Sequence, residues 1–102
     1  MRARARATFD GRSRPVPEWK AGFIQMFAQM ARAQQGYAEL YQTEFLFRED
    51  GREFWLPVQR QVAEYLVREE KAGASVVIYF VSAGGYRAQD TWEWVFLVQE
   101  FE

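Results

Sequence analysis

The chain has 102 residues, is 49% hydrophobic and 18% aromatic, and carries a formal net charge of −1. That suffices for one core without metals or disulfides, and it is too apolar for a disordered chain. With no cysteine and no histidine, disulfides, thiol nucleophiles, Cys/His zinc sites and histidine acid–base catalysis are excluded, and no run approaches the roughly 20 apolar residues of a membrane helix.

Charge is unevenly placed. Residues 1–15 hold five arginines and one acid, a balance of +4, and residues 16–102 a balance of −5. Anion-binding tendency is therefore concentrated at Arg2, Arg4, Arg6, Arg12 and Arg14. In that segment arginine alternates with alanine, the period of a strand. Alanine packs little surface, so a flexible basic arm is expected over residues 1–15, ahead of a single domain over 16–102. The arm is not a secretory signal as it stands, because no apolar stretch follows its basic residues. A cytoplasmic location is the default expectation, and export through a signal removed from the chain stays open.

Pro15 and Pro17 mark a boundary, and Pro17 suits a first helical turn. Trp19, Phe23, Met26, Phe27 and Met30 then recur at three- and four-residue spacing, predicting a helix over 17–35 whose Met/Phe face docks on the sheet or, in a second reading, binds a partner groove. Gly36 suits its C-terminal cap. A strand is predicted from Tyr37 to Arg48, and a second from Glu53 to Val58. Asp50-Gly51 between apolar runs is a strong hairpin signal. A two-residue loop sets Glu49 opposite Arg52, Arg48 opposite Glu53, Phe47 opposite Phe54, Leu46 opposite Trp55 and Phe45 opposite Leu56. Two opposite-charge pairs and three apolar pairs follow from that one assumption, each worth about 0.2–1 kcal/mol.

A second helix is predicted over 58–71, with Val58, Val62, Tyr65, Leu66 and Glu69 on one face and Gly73 as its stop. The run Val76 to Val81 reads as a central strand covered on both faces. Gly84-Gly85 opens a loop through Thr91, and Trp92 to Phe101 form the last strand. The expected fold is α+β: helix, hairpin, helix, hairpin. The strands make a curved antiparallel sheet or a small OB-like barrel, which needs a fifth strand from the arm or from a split of 37–48.

The runs Glu44-Phe45-Leu46-Phe47-Arg48-Glu49-Asp50-Gly51-Arg52-Glu53-Phe54-Trp55-Leu56-Pro57-Val58-Gln59 and Trp94-Val95-Phe96-Leu97-Val98-Gln99-Glu100-Phe101 resemble a group of short, uncharacterised bacterial proteins. The helix with Trp19 and Phe23 to Phe27 belongs to the same pattern. The resemblance covers most of residues 18–102. It implies a discrete small fold, with export in some members and no established activity.

Catalytic chemistry is sparse. Glu44, Glu49, Asp50, Glu53, Asp90 and Glu93 supply carboxylates, of which Glu49, Asp50 and Glu53 sit at a turn with arginine partners, as in a charged hairpin tip. Lys20 and Lys71, the only lysines, read as exposed helix residues and poor activators of a serine. Gly84-Gly85 lacks the remaining residues of a nucleotide loop and fits a tight turn or bulge. The chain is therefore read as a non-enzymatic binding or interaction module with no cofactor and no metal. A protein or peptide partner is open, and the oligomeric state is not readable. If Tyr86, Arg87, Trp92 and Trp94 lie outside the core, they form a stacking platform. The bland alternative places these aromatics in the core with Arg87 solvated. A second reading joins the platform to the arm as a single-stranded nucleic-acid binder, disfavoured by the body's negative charge. A hydrolase acting through Glu53 or Asp90 is the third.

Overall fold

The computed structural model describes residues 2–88 and 90–102. Five strands, β1 (Arg2–Pro15), β2 (Thr43–Glu49), β3 (Arg52–Val58), β4 (Ser75–Ala88) and β5 (Thr91–Phe101), form a closed barrel in the order β1-β2-β3-β5-β4. Helix α1 (Glu18–Met30) follows β1, and α2 (Arg60–Glu69) links β3 to β4.

The expectation of a flexible arm is corrected: residues 2–15 are the fifth strand. Ala3, Ala5 and Ala7 lie opposite Phe80, Ile78 and Val76 of β4, so small residues are seated between large ones. The strand bends where its register shifts between Phe9 and Ser13, so that its first half pairs with β4 and its second with β2. Gly11 makes that corner with φ 100°, and a Cβ there would come within 2.9 Å of the Ala72 Cβ. Asp10 holds the bend by accepting from Arg12 and Arg48.

The β2–β3 hairpin has the predicted register at every one of the five pairs. Asp50 (φ 52°) and Gly51 (φ 76°) are both left-handed, as a type I′ turn requires. Other boundaries differ. Helix α1 stops at Met30 because Arg32, not a glycine, takes the left-handed position (φ 55°). Its N–H bonds the Gln29 carbonyl while that of Ala33 bonds Ala28, the paired closure of a Schellman motif. Residues 37–42 are not strand but hold a 3-10 turn, Ala38–Leu40. The predicted loop at 84–91 is mostly strand, since β4 runs on to Ala88 with an irregularity between Ser82 and Gly84. Gln89 in that loop lies outside the described residues. The sheet is also not wholly antiparallel, because β3 meets β5 in parallel at Val58↔Val98.

Phe9, Phe45, Phe47, Leu56, Val58, Val76, Ile78 and Val98 fill the barrel with Leu66 of α2. A second cluster, Ile24, Tyr41, Val95 and Leu97, joins α1 to the outer wall. The buried positions of α1 are Lys20, Ile24 and Ala28, while Trp19, Met26 and Met30 are exposed. The predicted docking face is thus rotated, with only Phe23 and Phe27 partly covered. Among the described residues, no helix is long and apolar enough to cross a membrane.

Candidate functional site

Because β3 and β5 pair only at Val58↔Val98, their earlier halves stand apart. Between them lies an open groove of about 480 Å³, walled by Arg52 to Leu56 on one side and by Trp92, Glu93, Trp94 and Phe96 on the other. Arg14, Trp19 and Lys20 close its flank. The volume falls within the roughly 300–1,000 Å³ of ligand pockets.

Trp92 and Trp94 are each 59% exposed, so the reading that buried them is corrected. Alternation along β5 places both on one face, and their rings stack at 25° with centroids 6.4 Å apart. Gly85, opposite Trp94 in register, leaves room for them: a Cβ there would meet both indoles at 3.2 Å. Arg87, opposite Trp92, shares that face by alternation. Tyr86 does not. It turns toward α1, with its ring 4.9 Å from Trp19 and 6.1 Å from Phe23. The four residues predicted as one platform therefore divide between two faces of the β4–β5 hairpin.

Beneath the groove is a charge cluster that sequence reasoning missed. Glu44 is wholly buried. It accepts from Lys20 Nζ at 2.6 Å and from Arg14 Nε at 2.5 Å. Lys20 Nζ also donates to the Trp55 carbonyl at 3.3 Å, and the Arg14 guanidinium lies 4.1 Å over the Trp55 ring. Lys20 is thus buried, contrary to its reading as a solvated helix residue, because a neighbouring carboxylate offsets its desolvation. The signal available was the alternation of β2: Glu44 shares the inward parity of neither Phe45 nor Phe47, and only the packing of α1 onto that outer face buries it.

The arm arginines are dispersed. Arg2 pairs with Glu100, Arg12 with Asp10 and Glu53, and Arg14 with Glu44. Arg6 donates to Ser75 Oγ, and Arg4 is exposed on the outer face of β1. The Arg12 guanidinium, hydrogen-bonded to Asp10, holds that carboxyl below its ordinary 3.8. Burial, then the Tyr37 hydroxyl, pushes the Tyr41 phenol well up, away from any role as a base near neutrality. Glu49 lines an adjoining apolar hollow of about 100 Å³ with Ala5, Ala7 and Phe80, which shares Phe54, Leu56 and Phe96 with the groove. Glu53 and Asp90 are exposed, and Glu53 lies 3.8 Å from the Arg12 guanidinium.

Scanned against protein-family models, the chain matches none, and a search of curated proteins returned no match either.

Proposed function

We propose that this protein is a non-enzymatic binding module with an OB-like barrel, and that its ligand lies in the groove between β3 and β5. The observation that carries the reading is the exposure of Trp92 and Trp94 along a groove wall. Folding alone gives no reason to place two large apolar side chains in water. The strand order and the helix between β3 and β4 support the OB-like assignment, a fold that binds extended ligands across an open face. The lining is close to electrically neutral: Arg14, Lys20 and Arg52 stand against Glu53, Glu93 and the Glu44 below. That balance favours a ligand held by stacking and hydrogen bonding over a polyanion.

The single-stranded nucleic-acid reading draws less support. Arg2, Arg12 and Arg14 are engaged by carboxylates, and the arm they occupy is a barrel strand. Deleting residues 1–15 would remove β1 and test folding instead of binding.

Titration of the purified protein with oligonucleotide, oligosaccharide and peptide pools, followed by tryptophan fluorescence, tests the proposal. A saturable change is expected from at least one pool and lost in Trp92→Ala/Trp94→Ala. A flat response to all three, or a response that survives the double substitution, overturns it.

A further inference from the structure

The type I′ turn makes Glu49 and Arg52 a hydrogen-bonded pair. Backbone groups of Arg52, Phe54, Leu56 and Val58 then point toward β2, and those of Glu53, Trp55 and Pro57 point away from it, toward the groove. Two independent features agree with this parity. The Trp55 carbonyl accepts from Lys20 Nζ, as an outward-pointing carbonyl on the groove side of β3 would. Proline, which lacks an N–H, stands within β3 at position 57, on the outward parity, where the β2 ladder loses nothing.

Among the described residues, the Glu53 N–H and C=O and the Trp55 N–H have no strand partner, because β5 reaches β3 only at Val58. They repeat at two residues along an extended chain, about 6.6–6.8 Å. A second extended backbone presents donors and acceptors at that same repeat, whereas a sugar or a planar ring does not. The side walls fit as well. Phe54 and Phe96 line the groove next to the barrel interior, and Trp55 with Glu93 flank its outer side.

Building on the groove as the ligand site, we propose that the ligand is an extended peptide segment that adds to β3 as a strand between β3 and β5. Its inward side chains, at alternate positions, are apolar and rest on Phe54, Phe96 and Trp94. Main-chain bonds supply affinity and the alternating pockets supply selectivity, as in other sheet-edge recognition.

A capped hexapeptide alternating leucine and threonine is titrated beside two versions of it, one N-methylated at the leucines and one at the threonines, with cellohexaose as the saccharide arm. Binding is read by tryptophan fluorescence and by ¹H–¹⁵N amide spectra. The unmodified peptide is expected to bind and to slow exchange of the Glu53 and Trp55 amides. N-methylation on the edge-facing side is expected to weaken it on the order of tenfold or more. Glu53→Pro removes one outward N–H at the parity Pro57 already occupies, so it should weaken the peptide by a similar factor. If both N-methylated registers bind as well as the unmodified peptide, or cellohexaose binds and the peptide does not, strand addition is wrong and the groove reading survives. If no probe changes the fluorescence or the groove amides, both fail. The N-methyl comparison decides the matter even if Glu53→Pro fails to fold.

Discussion

Where β3 meets β5, Val58 and Val98 pair and Leu66 of α2 is buried among them. A few residues earlier the same two strands stand apart and present Trp92 and Trp94 to solvent. Inside the barrel the aromatics are phenylalanines, which have no polar atom to satisfy. Tryptophan is kept for the parted edge, where one side of the ring is wet. The comparison separates residues that stabilise the fold from residues that the fold leaves exposed along the groove.

Substitutions should divide along the same line. The largest loss is expected from Glu44→Leu, which leaves Lys20 buried without its carboxylate and costs about 3–5 kcal/mol in urea unfolding. Adding Lys20→Met should recover most of that loss, and a double substitution no better than the single would show that the pair is not the source. Leu66→Ala at the sealed end should cost about 2–5 kcal/mol by the same measurement. A cost under about 1 kcal/mol would mean that the helix does not plug the barrel.

Gains are expected under the parted edge. Ala5→Ile extends into the hollow beside Phe80 and should add about 0.5–2 kcal/mol if the space is empty in solution. Destabilisation would show that the hollow closes. At the groove wall, Trp92→Ala/Trp94→Ala should move stability by about 0.5 kcal/mol or less. A large loss would make these indoles structural and remove the contrast.

The smallest effect lies at the bend of β1. Asp10 titrates below its ordinary value when folded, so its stabilisation is present above the unfolded value near 3.8. It is lost as pH falls through the lower folded value. Asp10→Asn should therefore flatten the acid side of the stability profile. An unchanged profile would assign that slope to other carboxylates.

How far the sequence could be read depended on the range of the interaction. Asp50-Gly51 and the alternation around it specified the β2–β3 register, because a two-residue turn and cross-strand pairs are local. The helix end at Arg32 was not legible, since a left-handed arginine there is held by closure of the helix and not by residue preference. The aromatic excess was visible, but its division was not: Tyr86 and Arg87 are adjacent in sequence and lie on opposite faces of a hairpin whose extent past Gly84 depends on an irregularity in β4.

By itself, the sequence determined the two helices, the first hairpin with its register, and the absence of cysteine and histidine chemistry, all of which follow from residue identity and short spacing. Tertiary structure alone decided that the alternating Arg–Ala segment is the strand that closes the barrel, since its alanines gain a face only when β4 pairs with them and the later half of the strand pairs with β2. It also decided that Lys20 is buried on Glu44, and that β3 and β5 part to leave a groove under two tryptophans. Those outcomes depend on contacts between residues distant in the chain, where burial and pairing are set by the closure of the barrel and not by any local pattern.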